Sequence, residues 1–341
     1  MRGRSIKGLI LKFSRRINYS FWLKIGVALL VLFAIIRIFN VDFFDAVKSI
    51  EYPYFILLAL IFPLIINPII SNNRWKIFLD IQGIHEKFFT LAKISFTSIF
   101  LGFLLPSSTG FDAIRIYQIE KRNKNKLGAG GASVIIERLI GFYLLSLLGI
   151  IGAWIAQLQG ISISILYVTV VINVGLLLVF IALSSKKIHY FIVTHISKIK
   201  RGKKIADYFT SAYTSINNFP LKKVLIVSIV LILLFQLSTI LCGYLIFRAF
   251  GVDLPFYYHL AFMPLIQIIS IIPISISGFG LREGGFVYFY SLLGVGSGIA
   301  FTVSLLYYII LVITPAAVGM VLYLIDEIHH SRIKKAKSTL I

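Results

Sequence analysis

The stretch "SISGFGLREGGF", residues 275–286, breaks a very apolar part of the chain with four glycines, an arginine and a glutamate. It follows the apolar run "HLAFMPLIQIISIIPI" and precedes "VYFYSLLGVGSGIAF". Glycine adopts turn conformations that other residues resist, so a break of this kind ends one helix and begins another. The stretch therefore predicts the turn of a helical hairpin.

The composition places this hairpin in a membrane. The chain has 341 residues, of which 58% are hydrophobic and 14% are charged. A soluble domain carries roughly 25% charged residues, and apolar runs near 20 residues are typical of membrane-spanning helices. We predict an all-α polytopic membrane protein that forms a single integral membrane domain over residues 1–341.

The net charge of +21 lies in short segments between the apolar runs. This distribution is how membrane proteins fix their orientation, so nucleic-acid binding is not expected. It predicts a multi-pass protein of the plasma (inner) membrane with cytoplasmic N- and C-termini. Cys242 is the single cysteine, which excludes an intrachain disulfide, and the sequence predicts no metal and no cofactor.

The apolar runs and their flanking charges predict six full spans and two re-entrant hairpins. The spans are expected at 24–40, 53–71, 133–157, 162–184, 224–250 and 299–325. Basic residues on both sides of the first hairpin place both of its ends in the cytoplasm, with a turn at "PSSTG", residues 106–110. A second hairpin at 257–292 enters from the outside and leaves the basic tail cytoplasmic. The basic segment 185–223 is expected to be a cytoplasmic loop.

The two hairpin turns resemble each other. "PSSTGFDAIR", residues 106–115, and "PISISGFGLR", residues 273–282, share the first proline, a serine two residues later, a glycine in the centre and an arginine nine residues after the proline. The surrounding spans run in opposite directions. We therefore predict an inverted-topology repeat with units 53–157 and 224–325, a pattern common in transporters with a midplane site.

The chemistry of these turns favours an anion site. Half-helices that begin at the turns point positive N-terminal ends into the membrane, and Arg115 and Arg282 add full charges suited to phosphate or carboxylate. The candidate substrate-binding residues are Ser108, Asp112, Arg115, Glu137, Arg138, Ser275, Gly278, Gly280, Arg282 and Glu283.

Structural roles compete with these assignments. Asp112 and Arg115, or Arg282 and Glu283, could neutralise each other as ion pairs, and the two acids could cap their half-helices. Arg74 is expected to be an interfacial anchor beside Trp75.

The chain resembles a known family at these residues. "RWKIFLDIQG", "GFLLPSSTGFDAIRIY", "ERLIGF" and "PISISGFGLREGG" are similar to the flippase-like transmembrane domain of lysylphosphatidylglycerol synthases, which also occurs as stand-alone proteins. Members often have a glycine where this chain has Phe111. The resemblance implies movement of a lipid between leaflets. The soluble aminoacyl-transfer domain of the two-domain synthases is not expected here.

These observations predict a transporter for an anionic membrane lipid, either a phospholipid or a polyprenyl-phosphate-linked lipid, and not an enzyme. Two alternatives stay open. One is a membrane-embedded transferase acting on a lipid phosphate, with Asp112, Glu137 or Glu283 as base. The other is a non-catalytic accessory subunit of envelope lipid or glycan biogenesis. The small residues of "GVGSGIA" allow close helix contact, and two alternatives stay open for them, a homodimer or a contact within the chain.

Overall fold

The computed structural model describes most of the apolar part of the chain. The described residues are 33, 36–37, 43–103, 110–160, 163–197, 206–207, 210–211, 213–214, 217, 221–271 and 278–338. The predicted first span at 24–40 lies almost wholly outside them, as do both hairpin turns with Ser108 and Ser275.

The described elements are helices. In chain order they are α1 Phe43–Lys48, α2 Tyr54–Ile81, α3 Phe88–Phe103, α4 Gly110–Arg122, α5 Ala129–Leu158, α6 Ile163–Ser184, α7 Lys186–Ser197, α8 Leu221–Ala249, α9 Phe256–Ile271, α10 Leu281–Ser291, and α11, which comprises Ser297–Tyr308, a π-helical segment Ile309–Ile313 and Thr314–Ser338. Helix α2 contains a similar π-helical segment at Phe62–Ile66. The prediction of an all-α polytopic membrane protein is confirmed.

Four of the described helices are long and apolar enough to cross a membrane. They are Tyr54–Ile81, Ala129–Leu158, Ile226–Ala249 and Ser297–Ile328. These correspond to the predicted spans at 53–71, 133–157, 224–250 and 299–325. The segment predicted to span at 162–184 forms α6, whose apolar part Ser164–Leu178 is shorter.

Two pairs of short helices form the hairpins. The arms have 16 and 13 residues in α3 and α4, and 16 and 11 residues in α9 and α10. Each arm is shorter than the roughly 20 residues that a helix needs to cross a bilayer. A glycine in each hairpin lets its two sides meet: a Cβ on Gly102 in α3 would lie 2.5 Å from the Phe111 nitrogen, and one on Gly278, just before α10, would lie 2.6 Å from the Ser270 carbonyl oxygen.

Each hairpin packs against a long helix from the other half of the chain. Helix α9 lies along α5, and helix α3 lies along the second part of α11, and these are the two most extensive helix contacts described. Glycines permit both approaches. A Cβ on Gly152 would lie 2.4 Å from the Ala261 nitrogen, and one on Gly319 would lie 2.0 Å from the Phe96 carbonyl oxygen. Each half of the chain thus supplies the long helix on which the hairpin of the other half packs.

The open ends of the two hairpins lie at opposite ends of the bundle. Helix α5 has 30 residues and is therefore about 45 Å long. Its start follows the first hairpin directly, whereas Gly152, near its end, contacts the beginning of α9. Lys93 at the first hairpin also pairs with Asp326 near the end of α11, at 2.5 Å. The last part of α11 and the open end of the first hairpin therefore lie at the same end of the bundle.

Candidate anion-binding site

A cavity of about 300 Å³ lies between the first hairpin and the helices around it. Helices α2, α3, α4, α5, α8 and α11 contribute its walls. Three arginines and one glutamate line it: Arg74, Arg115, Arg138 and Glu137. The π-helical segments of α2 and α11 contact each other beside it and contribute Pro63, Leu311 and Val312 to the lining. Such segments are frequent at functional sites.

The charged groups form one chain in which positive and negative side chains alternate. Arg74 donates to Oε1 of Glu137, and Arg115 donates to Oε2 of the same carboxylate at 2.9 Å. Arg115 Nη2 also lies 3.7 Å from Asp112 Oδ1. Asp112 in turn accepts from Arg138 Nε at 2.9 Å. The order is therefore Arg74, Glu137, Arg115, Asp112, Arg138, with a cation at each end.

This chain carries one uncompensated positive charge, because three guanidinium groups face two carboxylates. Arg74, Arg115 and Glu137 are all at most 7% exposed. The Nε groups of Arg74 and Arg115 have no hydrogen-bond partner in the described part of the chain. A buried net charge is costly, so a chain of this composition is suited to bind an anion.

Aromatic rings support the three guanidinium groups. Arg115 lies 4.5 Å from the centroid of Trp75, Arg138 lies 4.7 Å from that of Phe111, and Arg74 lies 5.1 Å from that of Phe235. Cation–π contacts stabilise a desolvated cation and fix the plane of the guanidinium. Phe111 thus supplies the ring beneath Arg138.

The local sequence explains how α5 positions Glu137 and Arg138. Glu120 in α4 accepts hydrogen bonds from the Gly128 and Gly131 N–H groups, both at 3.1 Å, and so anchors the beginning of α5. Glu137 and Arg138 follow two turns later. Both side chains line the cavity.

None of the described residues of the second hairpin lines this cavity. Arg282 donates instead to Oε1 of its neighbour Glu283 and stacks 4.2 Å from the centroid of Tyr308. Glu283 also accepts from the Gly280 N–H at 2.6 Å and caps α10. The ion pair that the sequence analysis named as the structural alternative is therefore present, and Arg282 is not among the described residues that line the cavity with Arg115.

The glycines of the second hairpin have backbone roles in the structure. Gly278 and Gly280 have φ values of +76° and +85°, which favour glycine. The Gly280 N–H donates to Glu283 and is therefore engaged within the hairpin. Of the ten predicted site residues, Arg115, Glu137 and Arg138 line the cavity, and Asp112 belongs to the charge chain.

Arg74 is the functional candidate that the sequence analysis missed. It was expected at the membrane interface, but it is 6% exposed and Trp75 is fully buried. Trp75 donates to Ser133 Oγ at 3.2 Å, which fixes the ring below Arg115. The signal was present in the sequence as a helical stripe, because Asn67, Ser71 and Arg74 share one face of α2 and all line the cavity.

Comparison with known proteins agrees with this architecture. Residues 21–319 match the profile of the lysylphosphatidylglycerol synthase TM region. The chain belongs to this family. A UPF0104 membrane protein of Methanothermobacter thermautotrophicus is 26% identical over 317 residues, covering 83% of this chain and 88% of that relative. The UPF0104 membrane protein MJ1595 of Methanocaldococcus jannaschii is 23% identical over 319 residues, covering 88% and 93%. No solved structure matches.

Proposed function

We propose that the protein is a flippase-like transporter that moves an anionic membrane lipid between leaflets of the plasma membrane. The headgroup would bind in the cavity between Arg74, Arg115 and Arg138, while the lipid chains stay among the apolar helices. The observation that carries this proposal is the alternating charge chain, with its one uncompensated guanidinium, beside a cavity between the apolar helices.

The reciprocal packing of the two halves supports transport over simple binding. Each hairpin rests on a long helix of the other half, so a rocking motion of one half would move both hairpins together. The hairpins open toward opposite ends of the bundle, which suits a site exposed alternately to either side. Cytoplasmic termini belong to the same proposal.

The arrangement of the acids gives less support to a lipid-phosphate transferase. A general base must be free to accept a proton from its substrate. Asp112, Glu137 and Glu283 each lie in an ion pair with an arginine. Binding of an anion is therefore the function that these side chains support best.

Reconstitution into liposomes tests the proposal. The protein should accelerate leaflet exchange of a fluorescent anionic phospholipid, and Arg115→Gln and Arg74→Gln should each reduce the rate to near the protein-free background. Arg248→Gln is the matched control. Arg248 lies at the end of α8, pairs with Asp253 beyond that helix, and does not line the cavity. The proposal fails if wild-type protein exchanges the lipid no faster than empty liposomes, or if the control loses as much activity as the cavity variants.

A further inference from the structure

We infer that helix α7, Lys186–Ser197, binds an anionic lipid surface at the end of the bundle where the first hairpin opens. This surface is separate from the cavity, so α7 can bind lipid whether or not the cavity transports one. Three observations carry the inference: the place where α6 ends, the apolar side chains that α7 exposes, and the charge beside them.

Helix α6 brings the chain back to the end of the bundle where the first hairpin opens. Asn173 donates to Ser146 Oγ at 2.6 Å, so the two helices touch there. A Cβ on Gly149 would lie 3.0 Å from Thr169 Cγ2. Later positions of α6 therefore meet earlier positions of α5, and the two helices are antiparallel. Helix α6 ends near the beginning of α5, and Ile181 in its last turn is exposed, as expected of a helix in contact with lipid.

Helix α7 follows α6 after a single residue and has one side directed towards the rest of the chain. It has 12 residues and is therefore about 18 Å long. The half-buried side chains recur at spacings of three and four residues and so share one face: His189, Ile192, Val193 and Ile196. His189 stacks on Tyr213, with ring centroids 4.0 Å apart.

The other side of α7 exposes large apolar side chains. Ile188 and Phe191 lie three residues apart, and Phe191 is 62% exposed. The neighbouring Tyr190 is 73% exposed. A group of exposed apolar side chains marks an interaction surface. Because α7 begins where α6 ends, the boundary of the bilayer is the apolar medium next to this surface.

Positive charge accompanies the exposed apolar side. Lys186 and Lys187 in the first turn are both exposed, and α7 contains no acidic residue. Lysines at this position add to the positive end of the helix dipole, so they do not stabilise the helix itself. The wider segment 185–223 has nine Lys and Arg residues against Asp207. Basic amphipathic helices bind anionic membranes by burying apolar side chains at the headgroup boundary while their lysines pair with the headgroups.

Fluorescence quenching on the full chain in nanodiscs tests this inference. In a Cys242→Ala background, a fluorophore on His195→Cys lies one turn after Phe191 on the exposed side. In phosphatidylglycerol nanodiscs, brominated acyl chains should quench this probe and aqueous iodide should not. Replacement by phosphatidylcholine should lower the ratio of lipid-bound to free α7 by about fivefold for each lysine that pairs with the surface. The same fluorophore on Lys124→Cys, exposed in the loop after α4, is the control and should be quenched by iodide in both lipids.

Variants separate the contributions of charge and of apolar contact. Lys186→Gln with Lys187→Gln should reduce the lipid-bound fraction in phosphatidylglycerol to its level in phosphatidylcholine. Phe191→Ser should reduce that fraction in both lipids. Lys124→Gln with Lys126→Gln removes the same charge from another exposed segment at this end of the bundle and should leave the probe on His195→Cys unchanged.

Three results would overturn the inference. Iodide quenching at His195→Cys as strong as at Lys124→Cys in both lipids would mean that α7 lies in water. Protection from both quenchers would mean that protein covers the exposed side of α7. Equal quenching by brominated phosphatidylglycerol and phosphatidylcholine would mean that the lysines do not select an anionic surface. Each result leaves lipid exchange in liposomes unaffected, so failure of this inference and failure of the proposed transport are distinguishable.

Discussion

Glu137 holds the charge chain together, because its two oxygens accept from two different guanidinium groups. Glu137→Gln would leave the buried Arg74 and Arg115 and the partly exposed Arg138 facing one carboxylate. We expect a loss of about 3–5 kcal/mol in the free energy of unfolding, as for other buried ion pairs that lose one partner. The loss of stability is measured by heating the protein in detergent and determining the folded fraction that remains by size-exclusion chromatography.

A double-mutant cycle separates charge from packing in this prediction. Adding Arg74→Gln to Glu137→Gln restores the original net charge, so the double variant should be more stable than the sum of the two single losses implies. Strict additivity of the two losses would show that the Arg74–Glu137 contact does not couple the residues.

The residue scale also shows what the sequence could not reveal. The arginines next to the glycine turns were recognisable as intramembrane charges, and so was Glu137 inside an apolar helix. Arg74 could be placed on a polar face of α2 from its spacing with Asn67 and Ser71, but its pairing with Glu137 could not be predicted, since the two lie 63 residues apart. For the same reason the pairing of Arg138 with Asp112, 26 residues apart, could not be read from local spacing, whereas the pairing of Arg282 with its neighbour could.

At the scale of elements, the hydropathy pattern located the helices but ended the second span too early. The second span was predicted at 53–71, but α2 continues to Ile81. Its last part, "NNRWKIFLD", is polar, yet Asn72, Arg74 and Trp75 are buried. A hydropathy pattern ends where polar residues begin, even when those residues face a polar cavity rather than water. The packing of each hairpin on the opposite half depends on tertiary contacts that no local pattern contains.

Close helix contacts at two glycines carry this packing, and both are open to test. Gly319→Ala and Gly152→Ala would place a Cβ within 2.4 Å of backbone atoms of α3 and α9, respectively. We expect each to lower the free energy of unfolding by at least about 1–3 kcal/mol, the usual cost of overpacking.

Gly175→Ala in α6 is the matched control, because no atom lies within 4 Å of its Cβ position. It should be neutral or stabilising by up to about 1 kcal/mol through helix propensity. Equal melting temperatures for all three variants would mean that α3 and α9 do not approach these helices so closely.

The whole molecule has two ends, and its charges predict which one faces the cytoplasm. Lys124, in the loop after α4, and the exposed Ile328 of α11 lie at the end of the bundle where the first hairpin opens. Gln159, at the end of α5, lies at the opposite end. In a Cys242→Ala background, Lys124→Cys and Ile328→Cys should react with an impermeant maleimide only after the membrane is opened, whereas Gln159→Cys should react in intact cells. Labelling of Lys124→Cys in intact cells would reverse the proposed orientation.

Movement of one half against the other should be blocked by a link between them. Lys93 in α3 and Asp326 in α11 meet at 2.5 Å and join the first hairpin to the last helix. In the same cysteine-free background, Lys93→Cys with Asp326→Cys should be joined by a short bifunctional thiol reagent. If transport needs the halves to rock, the joined protein should lose lipid exchange in liposomes but keep lipid binding by native mass spectrometry, because the cavity itself is untouched.

Each single-cysteine variant treated with the same reagent controls for modification alone. Full exchange by the joined protein would mean that the lipid crosses without a change in the α3–α11 contact, and the rocking mechanism would then be wrong even if the cavity binds the headgroup.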